Sequence, residues 1–124
     1  TGARTIAHLA YTSRRCQTRL LKAHAVEALH QLLNHAPNDP SQPSVSSLAV
    51  VCLHALLNLS TIPDGQVIIA KVALHCLVDI NQEDDRNYDS FEKMRFTSGI
   101  LTNLFTNPAN RTRFYIAEMR EKKR

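Results

Sequence analysis

The sequence predicts an all-α chain, and three observations carry that expectation. The apolar runs hold far more Leu and Ala than Val, Tyr or Phe, and only three Gly and five Pro interrupt 124 residues, a balance that favours helix over sheet. Apolar residues recur at three- and four-residue spacing, with no strand-like alternation strong enough to compete. One pattern, a long apolar helix followed by a turn and a short helix, comes round three times, and its fullest copy is Val50 to Ile80.

Taken in order, residues 3–11 read as the last turns of a helix with Ile6, Leu9 and Ala10 on one face. Thr12-Ser13 offers a cap, and Arg14 to Ala23 forms a second short helix with Leu20 and Leu21 inward. His24-Ala25 marks a break before a helix to about His35, with Val26, Leu29, Leu32 and Leu33 at helical spacing. Pro37, Pro40 and Pro43 make the next stretch a surface loop, because closely spaced prolines cannot continue a helix. Ser44, Ser46 or Ser47 then caps a helix to about Ser60 that is apolar on more than one face, as expected of a helix buried between neighbours.

Ile62-Pro63-Asp64-Gly65 turns the chain into two short helices, Gln66 to Lys71 and Ala73 to Asn81, and an acidic loop runs from Gln82 to Tyr88. Asp89 with Glu92 reads as a capping box opening a long helix to about Thr106. Gly99 inside it costs about 1 kcal/mol relative to Ala and marks a close packing contact. Asn107-Pro108 supplies a cap and a first-position Pro for a final helix to about Met119.

Charge and cysteine content narrow the function classes. The net charge of +4 is uneven: +4 over residues 1–36, −1 over 37–60, −4 over 61–90 and +5 over 91–124. Nucleic acid is a permitted partner, but much of the positive charge sits in Arg120 to Arg124, where a solvated tail is the preferred reading. Cys16, Cys52 and Cys76 read as reduced residues of an intracellular, cytoplasmic protein rather than a disulfide frame; cytoskeletal or nuclear association is compatible with the same signs. The glycosylation patterns at Asn58 and Asn110 carry little weight, the first lying in a helix. No apolar run approaches the roughly 18 residues of a bilayer span. The chain opens in mid-pattern without an initiator Met, which suggests a fragment or a processed domain.

No stretch carries recognisable reaction chemistry. Ser, Cys and His are present, but none lies in a strand-turn-helix or Gly-rich setting that would activate a nucleophile. His75-Cys76, and Cys52 with His54, lack the paired spacing of a zinc site, so core or groove packing is preferred. The three Gly are too far apart for a phosphate-cradling loop. The expectation is a non-enzyme with no cofactor.

Setting the copies in register exposes the organisation. His8-Leu9-Ala10, Asn58-Leu59-Ser60 and Asn103-Leu104-Phe105 end successive long helices, spaced about 50 and then 45 residues apart. Tandem units of about 40–47 residues with two or three helices are the signature of an armadillo or HEAT solenoid. In the strings ALLNLSTIPDGQVIIAKVALHCL, ARTIAHLAYTSRRCQTRLLKAHAVEALHQLL and ILTNLFTNPANRTRF the chain resembles the armadillo-repeat family. That resemblance implies a right-handed α-solenoid whose long third helices, 1–11, 45–60 and 89–106, line a concave groove. It divides the chain into a partial repeat 1–11, repeats 13–60 and 63–106, a partial repeat 107–119 and a basic tail 120–124. One departure concerns the family's usual Gly between first and second helices. His24 and Val72 stand there, and a β-branched Val takes positive φ poorly, so the turn at 72 is altered or closer to a HEAT-like pair.

The resemblance also points to sites. Armadillo adaptors that import basic peptides carry a Trp and, four residues later, an Asn on their third helices. Here the Asn places hold His8, Asn58 and Asn103, and the Trp places hold Arg4, His54 and Gly99. Two Asn remain and no Trp does, so cation slots against aromatic faces are missing. Asn58 and Asn103 either bond a partner's backbone or cap their helix ends. Arg4, His8, His54 and Arg95, if they face the groove, favour a neutral or acidic ligand.

At the ends, uncovered apolar faces are expected at Ile6 and Leu9, and at Leu104, Phe105, Phe114, Tyr115 and Ile116. The resulting expectation is a protein-binding scaffold within a larger assembly. The alternatives are a nucleic-acid-associated subunit using the basic ends and a cargo-peptide adaptor.

Overall fold

A computed structural model describes Arg4 and residues 14–35, 48–82 and 88–123. Among the described residues there are six α-helices and no strand: α1 (Arg14–Lys22), α2 (Ala25–His35), α3 (Leu48–Leu59), α4 (Pro63–Asn81), α5 (Tyr88–Phe105) and α6 (Arg111–Lys122). A 3₁₀ turn, Pro108–Asn110, precedes α6. Arg4 is helical, and the rest of the expected helix over 3–11, the Thr12-Ser13 cap, the loop at 37–43, the serine caps at 44, 46 and 47, the loop over 83–87 and the side-chain capping box at Asp89 lie outside the described residues.

The break between α1 and α2 falls on His24, whose φ of 62° is left-handed. Its N–H donates to the Leu21 carbonyl at 3.1 Å, closing α1, and its own carbonyl accepts from Ala28 N–H at 3.2 Å, opening α2. Backbone hydrogen bonds on both sides thus hold a residue type that visits this region more readily than a β-branched one. Glu27 lies 3.5 Å from the His24 ring nitrogen, across one turn.

At Val72 no such break exists. α4 runs unbroken from Pro63 to Asn81, and the two short helices expected there are one. Ile69, Ala70, Ala73, Leu74 and Leu77 are buried at uninterrupted helical spacing, and Val72 is disfavoured in the left-handed conformation a turn would need. The helix also starts earlier than expected. Ile62 is extended at the N-cap and Pro63 is in the first turn with Asp64, so the Pro-Asp-Gly segment opens α4 rather than preceding it. At the other end α6 continues to Lys122, and Arg120 is not a solvated tail residue: its guanidinium donates to Asp79 of α4 at 3.2 Å. Cations in a last turn are favoured by the helix dipole, and Glu118 adds an i,i+4 pair with Lys122.

One core runs through all six helices. Leu29 of α2, Leu53, Leu56 and Leu59 of α3, Ile69 and Leu77 of α4, and Ile100 and Leu104 of α5 are fully buried, each contributing about 1.5–3 kcal/mol of transfer free energy. α3, apolar on several faces, lies against α2, α4 and α5, and α4 touches every other described helix. Leu32 is the outlier of its helix at 39% exposure.

Six long-range polar contacts have similar spacings, whereas Asn81 at the end of α4 reaches Met94, Thr97 and Ser98 of α5 at separations of 13 to 17 residues. Gln17 donates to the Asn58 carbonyl, Cys76 to the Asn34 side chain, Asn103 to Ser60, Asn107 to Gln66, Asn110 to the Gln66 carbonyl, and Arg120 to Asp79, at separations of 41 to 44 residues. Along α3 and α5, His54 meets Phe96, Leu57 meets Gly99 and Ser60 meets Asn103. The two helices therefore run parallel in a constant register. α4 and α6 are parallel too, since Gln66 meets Asn110 and Asp79 meets Arg120.

Gly65 is required by the joint between α3 and α4. A Cβ there would collide with the Leu59 carbonyl oxygen and come within 3.0 Å of the carbonyl carbon. That obstacle is backbone and cannot rotate aside. Gly65→Ala is expected to lower unfolding stability by about 1–3 kcal/mol despite its better helix propensity. Urea unfolding followed by circular dichroism measures this; an unchanged midpoint would show that the joint is loose.

Candidate functional site

The parallel pair α3 and α5 presents one face built from residues of both helices. Cys52 and His54, two positions apart on a helix, point to opposite sides: Cys52 is fully buried and His54 is exposed. They cannot act as one ligand pair. Burial pushes the Cys52 thiol up to about 11, which leaves it protonated and unreactive near neutral pH.

The His54 ring stacks on Phe96 with centroids 5.3 Å apart and planes 18° from parallel. The Arg95 guanidinium carbon lies 6.0 Å from the Phe96 centroid, at the outer limit of a cation–π contact, and Arg95 also approaches Glu92 at 4.0 Å. His54 and Arg95 are thus brought together, and Phe96 joins them. Phe96 was not among the residues expected here. Its signal lay one turn before Gly99, so the face has an aromatic surface although the expected Trp places lack one.

The remaining expected groove residues have more constrained roles. Gly99 is half-buried, and a Cβ on it would come 3.1 Å from Leu57 Cδ1, so it serves the packing of α5 on α3. Asn103 donates at 2.9 Å to the Ser60 hydroxyl, which itself donates to the Leu57 carbonyl at 2.7 Å. Ser60 is fully buried, so this amide ties two helix ends together. Asn58 is half-buried, and its carbonyl accepts from Thr61 at 2.8 Å and Gln17 at 3.3 Å. Arg4 is exposed, while His8, Ile6 and Leu9 lie outside the described residues.

A second surface lies at the α5–α6 end. Phe105 and Tyr115 are 68% and 62% exposed, Phe114 is half-buried, and Leu104, expected to be bare, is fully buried. The Phe105 and Phe114 rings meet edge to face at 5.4 Å. With Val78, Ala117, Arg111 and Glu118 they line an open cleft of about 430 Å³. Ile116 and Met119 add exposed apolar surface on α6.

Among the described residues no three His, Cys, Asp or Glu side chains converge, and no helix is long and apolar enough to cross a membrane.

If Asn103 acts through Ser60, a double-mutant cycle of Asn103→Ala and Ser60→Ala should give a coupling of about 1 kcal/mol in unfolding free energy. Additive effects in thermal or urea denaturation would instead release Asn103 from this joint.

No protein-family model, curated protein or solved structure matches the chain, so the functional reading rests on the residues described above.

Proposed function

We propose that the chain is an α-solenoid of armadillo type that serves as a non-catalytic protein-binding scaffold within a larger intracellular assembly. The observation that carries this reading is the constant register of the parallel helices. α5 lies on α3 and α6 on α4 with partners 41 to 44 residues apart. A structure that repeats by translation along its own sequence needs such a spacing, and stacked units of this kind form extended binding surfaces. In this scheme α1, α2 and α3 make one unit, α4 and α5 the next, and the 3₁₀ turn with α6 begins a third. α4 then represents first and second helices fused by the absence of a left-handed residue at Val72.

The face of α3 and α5 is the proposed groove. His54, Arg95 and Phe96 would meet a neutral or acidic segment, with stacking area from the aromatic ring and charge from the guanidinium. A basic cargo peptide fits this face poorly. The experiment compares proteins copurifying with the native chain and with a His54→Glu, Arg95→Glu variant. Both side chains are exposed, so the fold should survive. Loss of most partner signal, tenfold or more, is expected; unchanged capture would remove this face from the reading.

One observation favours a second reading. Arg14, Arg15, Arg19 and Lys22 lie on α1, which has no acidic residue, and none is in an ion pair among the described residues. A nucleic-acid role would use this helix. It requires retention on RNA or DNA at low salt that falls steeply as salt rises, because bound counterions are released. Absence of retention at low salt ends that reading.

A further inference from the structure

We propose that the stripe of α6 formed by Arg111, Tyr115 and Glu118 is a self-association surface, and that its partner is α6 of a second copy of this chain, crossing antiparallel. The proposal deepens the scaffold reading, on which it rests in taking the α5–α6 end as a contact surface.

Three observations support it. The first is the order of chemistry along the stripe. Arg111, Tyr115 and Glu118 are spaced i, i+4 and i+7, so they share one side of the helix, and all three line the cleft. A cation stands at one end, an aromatic ring in the middle and a carboxylate at the other end. Turned about a two-fold axis beside Tyr115, such a stripe is its own complement. Arg111 and Glu118 lie about 5 Å either side of that axis, from the helical rise of about 1.5 Å per residue. Each copy's Arg111 would therefore face the other copy's Glu118, as a closed isologous contact requires.

The second observation concerns the charges now present. Arg111 is exposed and in no ion pair among the described residues. Among the described residues Glu118 pairs with Lys122 of its own helix, at 3.5 Å, with both side chains about two-thirds exposed. An exposed i,i+4 pair of this kind holds its members weakly, so Glu118 can take a new partner. Arg120, by contrast, is committed to Asp79.

The third is area. Phe105, Tyr115 and Met119 are 68, 62 and 39% exposed, while Ile116 points about 140° away from Arg111 around the helix and lies outside the patch. At roughly 150–200 Å² per large side chain they offer about 250–340 Å² of apolar surface. A standard interface buries about 800 Å² per partner, somewhat over half of it apolar. The patch supplies more than half of that apolar share, with the charged ends as its polar rim and the cleft of about 430 Å³ as a socket for the facing side chains.

The test is sedimentation velocity on the whole chain over a concentration series. The native chain is expected to pass from monomer to dimer. Arg111→Glu alone, or Glu118→Arg alone, should weaken the dimer at least tenfold by setting like charges against each other. Mixing the two variants in equal amounts should restore dimer, because each then meets its complement; a variant that had merely unfolded could not give that recovery. A native chain still monomeric at ~100 µM, well above the micromolar range of weak interfaces, would overturn the proposal. So would a dimer indifferent to both reversals. Either result leaves the α3–α5 binding face untouched, since that reading is judged by the His54 and Arg95 variant.

Discussion

The close parallel contact of α5 on α3 is the constraint on which the rest of the structure depends. It is tight where Gly99 meets Leu57, whose Cδ1 would lie 3.1 Å from an added Cβ and would have to give way slightly. With that contact made, Ser60 and Asn103 fall within hydrogen-bond distance and His54 falls onto Phe96. The register then propagates. α3 ends at Leu59, α4 must begin against the Leu59 carbonyl at Gly65, and the placement of α4 decides where α6 can lie. Packing in interiors has little room for slippage, so one close contact and one missing Cβ fix the relation of four helices.

Polar side chains at the helix ends reinforce that register. The Gln66 side chain donates to the Ser60 carbonyl and accepts from Asn107, while its own carbonyl accepts from Asn110. Asn110, fully buried, also donates to the Leu104 carbonyl. These amides satisfy carbonyls left over where α3 and α5 end, which would otherwise be desolvated without a partner. Asn103, Asn107 and Asn110 are in this way engaged at the helix ends through their side chains. An amide that bonds a neighbouring helix is occupied by structure. On the α3–α5 face His54 and Arg95 are exposed and Phe96 half-buried, and at the α5–α6 end Arg111, Tyr115 and Glu118 are exposed.

Much of this was legible in the sequence where the cause was local. The break at His24 was expected from the pattern, and its left-handed φ is held by backbone bonds to Leu21 and Ala28. Asn107 caps the 3₁₀ turn through its side chain, accepting from Ala109 N–H at 3.0 Å, as Asn-Pro predicts. The apolar girth of α3 correctly implied neighbours on several sides. The break expected at Val72 failed, because the continuous burial of Ile69, Ala73 and Leu77 on a shared core outweighed the pattern of the other repeat.

What the sequence by itself determined is the helical class, the break at His24 and the cap at Asn107, since each depends on residues within a few positions of one another. Only the tertiary structure decided that Phe96 stacks on His54, that Asn103 serves Ser60, that Leu104 is covered while Phe105 is bare, and that Arg120 reaches Asp79. These contacts join residues 41 to 43 positions apart or depend on which face of a helix meets its neighbour. Periodicity shows that a helix has an apolar side; the rotation that settles which residue at its edge is buried comes from packing against other helices.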